Sequence, residues 1–158
     1  MKSIFEENFL VDSNILVYYL DADSRYNILI DHFFSQCEKN KFPVFISLQN
    51  IVELTSVLIK KHKVPKGIAL EKIKKLVHSG LFQIISSSPS TEYNFFEIMN
   101  VLPKPDIFDV FLAATMMDNN IYTIITNNQR DFKSIKNLRA VGLKEVEKMV
   151  ETGENTRN

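Results

Sequence analysis

The chain has 158 residues and a mass of 18.3 kDa, with 45% hydrophobic and 24% charged residues and 19 Lys and Arg balancing 19 Asp and Glu. At this length roughly two-thirds of the unfolded surface is buried on folding, so a full core forms without disulfide or metal staples. Four glycines and five prolines exclude collagen-like and low-complexity classes, Cys37 alone excludes a disulfide framework, and zero net charge argues against holding nucleic acid by bulk electrostatics.

In chain order, Phe9-Leu10-Val11 reads as a short strand that ends at Asp12-Ser13-Asn14. These short polar side chains suit a helix start, and Ile15 to Leu20 follow at helical spacing. That apolar run is the longest in the chain and falls far short of the ~20 residues of a membrane span, while Glu6 and Glu7 do not fit a signal peptide. A second helix is expected over Tyr26 to Glu38, started by Asp23-Ser24, and the chain turns at 40–42. Pro43 to Ser47 reads as a strand, followed by a helix from Leu48 to Lys61 that Val64-Pro65-Lys66-Gly67 breaks. A helix over Ile68 to His78 and a strand over Leu81 to Ile85 come next. A further helix through Tyr93 to Met99 stops at Pro103 and Pro105. The next, Asp109 to Asp118, is apolar almost all round and is expected to lie buried between layers. Ile121 to Thr126 is a fourth strand, Asp131-Phe132 begins a short helical turn, and Leu138 to Val141 is a small fifth strand. Leu143 to Val150 is a terminal helix and 151–158 a frayed tail. Strands separated by helices predict parallel pairing with right-handed crossovers, hence a three-layer α/β/α sandwich around a central parallel sheet.

Ligands of an open parallel sheet bind beyond the carboxyl ends of the strands. Asp12 stands at that end of the first strand, and Thr126, Asn127 and Asn128 at that end of the fourth. Glu53 lies one and a half turns into the helix after the second strand, and Asp109 opens the helix leading to the fourth. Carboxylates close together repel unless a cation joins them, and hard oxygen ligands suit Mg²⁺ or Mn²⁺. Simpler roles exist for each: Asp12, Asp109 and Asp131 as helix caps, Asn128 as a turn residue, Glu53 on solvent. At 100° per residue Leu48, Ile51, Thr55 and Leu58 share one face with Glu53 opposite, which excludes a core position but does not separate solvent from cleft. Capping does not explain why an apolar helix should begin with both Asp106 and Asp109, since a buried acid needs a partner or a metal.

Four segments together resemble the PIN domain family, and within it the VapC-type ribonuclease toxins. They are Phe9-Leu-Val-Asp-Ser-Asn-Ile-Leu-Val-Tyr18, Ile46-Ser-Leu-Gln-Asn-Ile-Val-Glu-Leu54, Phe108-Asp-Val-Phe-Leu-Ala-Ala-Thr115 and Thr126-Asn-Asn-Gln-Arg-Asp-Phe132. The resemblance runs from Phe9 to about Val141. It implies a sheet ordered 3-2-1-4-5 and a single PIN-like nuclease domain over residues 1–150. It also implies that Asp12, Glu53 and Asp109 are the metal-binding acids, Asp109 because it stands five residues before Ala114; Asp106 misses that spacing and is a secondary candidate. Asn128 occupies the place of the usual fourth Asp, with Asp131 as a candidate replacement, and Ser13, Asn14 and Thr126 support the acids.

The activity so implied is that of a Mg²⁺- or Mn²⁺-dependent endoribonuclease, the cytoplasmic toxin of a toxin–antitoxin pair, cutting RNA by metal-activated water. Its expected partners are RNA, a small antitoxin protein and a second copy in a homodimer, with no membrane. A lysine-rich stretch from Lys60 to His78 sets Lys60, Lys61, Lys63, Lys66, Lys72, Lys74 and Lys75 against Glu71 alone. Such a run is ordinarily a solvated helix face; beside a nuclease site its leading members Lys60, Lys61, Lys63 and Lys66 read as a track for RNA phosphates. His32, His62 and His78 share no zinc spacing, and the twelve phenylalanines fall at core spacing. Because of Asn128, the competing reading is a catalytically weak PIN fold that binds RNA or organises an assembly. A haloacid dehalogenase-type phosphohydrolase is disfavoured, since Asn14 stands where that family has its second Asp.

Overall fold

A computed structural model of the chain describes residues 4–155 of the backbone and the side chains of 4–153. Five parallel strands, β1 (Phe9–Val11), β2 (Val44–Ser47), β3 (Phe82–Ile85), β4 (Thr123–Ile125) and β5 (Arg139–Val141), form one sheet in the order β3-β2-β1-β4-β5. The helices are α1 (Ser13–Leu20), α2 (Asn27–Asn40), α3 (Leu48–Ser56), α4 (Lys66–Val77), α5 (Thr91–Val101), α6 (Ile107–Asp118), α7 (Gln129–Lys133) and α8 (Leu143–Asn155). They cover both faces of the sheet, which is the predicted sandwich with the predicted strand order.

The central strand explains why the sequence is apolar where it is. β1 pairs with β2 on one side and β4 on the other, and all three of its residues are buried. Its alternation divides the core: Phe9 and Val11 pack into one layer with Ile15, Leu16, Phe33, Phe34 and Leu54, and Leu10 enters the other with Leu112, Ala113, Ile124 and Phe132. A strand buried on both faces has no polar position to spare, so the first polar residue after Val11 comes where the strand leaves the sheet.

Several element boundaries differ from expectation, each for a local reason. α2 begins at Asn27 without a side-chain cap, because Ser24 instead accepts the Tyr26 amide and closes the preceding turn. The α-helical part of α3 ends at Ser56 and continues as a π-helical turn over Val57–Lys61, with the His62 amide donating to the Val57 carbonyl at 3.0 Å. α4 begins two residues early, since Pro65 takes the cap position and the amides of Lys66 and Gly67 fall in the first turn, where no intrahelical partner is needed. α6 begins at Ile107, capped by Asp106, so Asp109 is the third residue of its first turn rather than its start. β4 is shorter than Ile121 to Thr126. The segment expected to fray from 151 is helical to Asn155, with Gln36 lying close over Gly153; 156–158 lie outside the described residues. A 3-10 turn over Ile4–Glu6 precedes the first strand.

Two burial expectations are corrected. Leu48, placed on the core face of α3 by its wheel position, is 53% exposed because it is the first residue of the helix and stands clear of the sheet. α6 is not buried throughout: Val110 and Leu112 to Met116 are, but its first turn exposes Ile107 and leaves Phe108 70% accessible.

Candidate functional site

Asp12 occupies the first position after β1, and its amide still donates to the Ile125 carbonyl of β4 at 2.9 Å, which holds the residue to the sheet. It caps α1, accepting from the Ser13 amide at 2.7 Å, and is only 6% exposed. Its other carboxylate oxygen accepts from Thr126 Oγ1 at 2.7 Å and Asn14 Nδ2 at 2.9 Å. All these donors are neutral. Burial raises the Asp12 carboxyl above the ordinary value, the hydrogen bonds from Thr126 and Ser13 oppose that rise, and the charge of Glu53 adds to it.

Glu53 lies in the cleft and not on open solvent, which resolves what the helical wheel left open. Ser13 Oγ donates to Glu53 Oε2 at 2.8 Å, so one serine touches both acids, with 3.4 Å to Asp12 Oδ1. Gln49 fixes the opposite oxygen: its Nε2 donates to Glu53 Oε1 at 2.7 Å and to the Phe108 carbonyl at 3.0 Å, tying α3 to the first turn of α6. Ser47 and Asn50 form a reciprocal capping box that sets the start of α3. Gln49 was not among the candidates from sequence; the available signal was its position four residues before Glu53, which puts both on one helix face.

Asp109 faces the same space from α6, and its carboxyl is pushed up to about 7. Burial is the chief cause, followed by the charges of Asp106, Asp12 and Asp131 and a hydrogen bond with Asp131. Asp106 is exposed and caps α6 through the Phe108 and Asp109 amides at 2.9 and 3.2 Å, so it contributes to Asp109 by charge rather than by entering the cleft. Asp109 itself caps nothing. Asn128 donates its side-chain amide to Asp131 Oδ2 and its backbone amide to Thr126 Oγ1 at 3.0 Å, so the asparagine links Asp131 to the Thr126–Asp12 pair. Asp12, Glu53, Asp109 and Asp131 are thus brought to the carboxyl edge of β1 and β4, with Ser13, Asn14, Thr126 and Asn128 between them.

The lysines are not brought there. The α1 C-cap residue Asp21 meets His62 at 3.9 Å. Nine residues of helix separate Asp12 from Asp21, about 13 Å at 1.5 Å per residue. Lys60, Lys61, Lys63 and Lys66 are exposed around His62, at the far end of α1, and do not begin beside the acids.

The sequence pattern of the PIN domain family matches residues 9–138. The chain belongs to this family. Similar solved structures include VapBC2 from Rickettsia felis bound to a DNA fragment from its promoter, with 21% identity, 85% of this chain and 97% of that one covered, and a TM-score of 0.69. DNA-bound VapBC from Salmonella typhimurium is 17% identical over 87% of this chain and 98% of that one, with a TM-score of 0.63. VapC20 from Mycobacterium tuberculosis, a sarcin-ricin loop cleaving toxin, is 14% identical over 74% and 87%, with a TM-score of 0.57. At these identities the likeness is one of fold. No curated protein matches the chain by sequence.

The donor set of this PIN domain fits a hard divalent cation. Every side chain offered is an oxygen ligand, and no Lys or Arg is among the groups shifting Asp12 or Asp109. Among the described residues the acids do not close into a ready group of three ligands. Their oxygens are turned instead to Ser13, Asn14, Thr126, Gln49 and Asn128.

Proposed function

We propose that this PIN domain is a divalent-metal-dependent endoribonuclease, the cytoplasmic toxin of a toxin–antitoxin pair. The observation that carries this reading is the convergence of Glu53, Asp109 and Asp131 around the buried Asp12 carboxylate, with no cation among the described residues to balance it. Asp12 and Asp109 would hold Mg²⁺ or Mn²⁺, with Glu53 and Asp131 at its flanks. When bound, such a cation supplies Lewis acidity toward a phosphoryl oxygen and activation of water.

The chain's own residues do the rest. Thr126, Asn14 and the Ser13 amide fix the Asp12 carboxylate from three directions, leaving it no freedom to rotate away from the cleft. Glu53, held by Gln49 and Ser13, is placed to take a proton from water, and Asn128 keeps Asp131 turned inward. Attack of water on phosphorus, with departure of the 3′ oxygen, leaves a 5′-phosphate and a 3′-hydroxyl. The lysines from Lys60 to Lys66, roughly two nucleotides from the acids, would hold a more distant part of the RNA backbone; Lys61→Glu with Lys63→Glu should weaken binding and flatten its salt dependence.

An apolar face supports self-association. Leu48 and Val52 of α3 and Phe108 and Phe111 of α6 line one groove of about 300 Å³ beside Ser86 and Ser87. A toxin–antitoxin complex from Klebsiella pneumoniae is also similar in fold, 20% identical with a TM-score of 0.54, which supports a small antitoxin as the other protein partner.

The test is cleavage of single-stranded RNA with Mn²⁺ or Mg²⁺, expected to vanish with chelator and in Asp12→Asn. RNA bound but left intact by the wild type would favour the second reading, an RNA-binding module whose Asn128 has cost it a ligand. RNA neither bound nor cut would remove both.

A further inference from the structure

The corner between α1 and α2 carries an aromatic shelf that the acids do not use. The Tyr18 and Tyr26 rings lie 5.0 Å apart at 50°, and the Arg25 guanidinium sits over the Tyr26 ring at 4.6 Å with Nη2 donating to its hydroxyl at 2.5 Å. Both tyrosines are half-buried and Arg25 is exposed. Among the described residues no carboxylate forms an ion pair with Arg25.

Hydrogen bonds tie this shelf to the acid site. Tyr18 Oη accepts from Asn127 Nδ2 at 2.8 Å, the Asn127 amide donates to Asn14 Oδ1 at 3.2 Å, and Asn14 donates to Asp12 Oδ2 at 2.9 Å. The corner is rigid: Asn27 Nδ2 donates to the Tyr18 and Tyr19 carbonyls at 3.0 and 2.9 Å, Ser24 Oγ accepts the Tyr26 amide, and Asp21 Oδ1 accepts the Asp23 amide. Asn14 and Tyr18 share a face of α1 about 100° round from Ser13 and Glu53. The bonds through Asn127 therefore join the shelf to the acids on the β4 side. A rigid aromatic pair with a stacked, carboxylate-free guanidinium suits a flat π-face bearing a phosphate, which is a nucleotide.

We propose that Tyr18, Tyr26 and Arg25 form a nucleobase-stacking subsite for the nucleotide adjoining the cleaved phosphate, with Arg25 meeting that nucleotide's own phosphate. This rests on the ribonuclease reading. The subsite favours no base by hydrogen bonding, so its contribution is to grip one flank of the cut.

The experiment uses a single-stranded RNA with a mapped cut and a series in which one nucleotide at a time near the cut is made abasic. With wild-type protein, removing the stacked base should lower kcat/KM about tenfold or more. Arg25→Ala and Tyr26→Leu should lower kcat/KM on intact RNA and leave the rate on that abasic substrate unchanged; Tyr18→Phe keeps the ring and should retain the coupling. Arg25 is exposed, so its variant answers even where Tyr26→Leu unfolds on a melting curve. Equal losses on intact and abasic substrates, or none, would overturn the subsite while cleavage itself stands. Unchanged RNA coupling with lost binding of a protein partner would assign the corner to a protein contact and equally overturn it. If wild-type protein cuts no RNA and Asp12→Asn binds none, the ribonuclease reading fails and takes the shelf with it.

Discussion

Thr126 donates its hydroxyl proton to Asp12 Oδ2 while its oxygen receives the Asn128 amide and Asn14 Nδ2, so a fully buried side chain serves three residues at once. Thr126→Val keeps the shape and removes every one of these bonds. It should cost about 1 to 3 kcal/mol, measured by urea unfolding, because a buried carboxylate and an amide are left short of partners. Asp109 gives a pH dependence of defined sign. Its folded value, about 7, lies above the ordinary 3.8, so between those limits the folded protein keeps a proton the unfolded chain has lost. Stability of the metal-free protein should therefore fall as pH rises from about 4 to about 7 and level off above. Asp109→Asn should flatten that slope in thermal melts, and Mn²⁺ should raise the wild-type melting temperature more at pH 8 than at pH 5. A wild-type curve that rises through this window would contradict the assignment.

At the scale of the element, β1 with its Asp12 cap was fully legible because everything that makes it is local: an apolar triplet, then short polar residues able to hold first-turn amides. Glu53 was legible as an acid but not in its surroundings. A wheel position reports the direction away from the sheet, and only the approach of Ser13 and Gln49 from other parts of the fold turns that direction into a cleft. The start of α6 was displaced by two residues because Asp106 and Asp109 are both competent caps, and the choice between them depends on where Pro105 releases the chain. The consequence is separable. Asp106→Ala should cost about 1 kcal/mol through loss of the cap and also lower the Asp109 midpoint by removing a like charge. Asp106→Asn should keep most of the stability and lower the midpoint alike, with both readable from a carboxyl titration followed by NMR. The first turn of α6 looked buried in sequence because it is apolar, but apolar character does not specify which body covers it.

For the whole molecule, that uncovered face makes a statement about association. Val52 and Phe108 are 69% and 70% exposed across one groove, which a protein surface rarely presents without a use. The double change Val52→Ser with Phe108→Ser should shift the sedimentation coefficient from dimer to monomer at micromolar concentration and leave the melting temperature nearly unchanged. The sheet order carries a further consequence, in time. Asp12 is made before β4, yet the hydroxyl that fixes it belongs to Thr126, 114 residues later. At ordinary elongation rates that interval is on the order of 10 s. Throughout it, β1 lacks β4 and the Asp12 carboxylate lacks the Thr126 hydroxyl, so a nascent chain holds this acid incompletely organised, and the site comes into being only once β4 has followed.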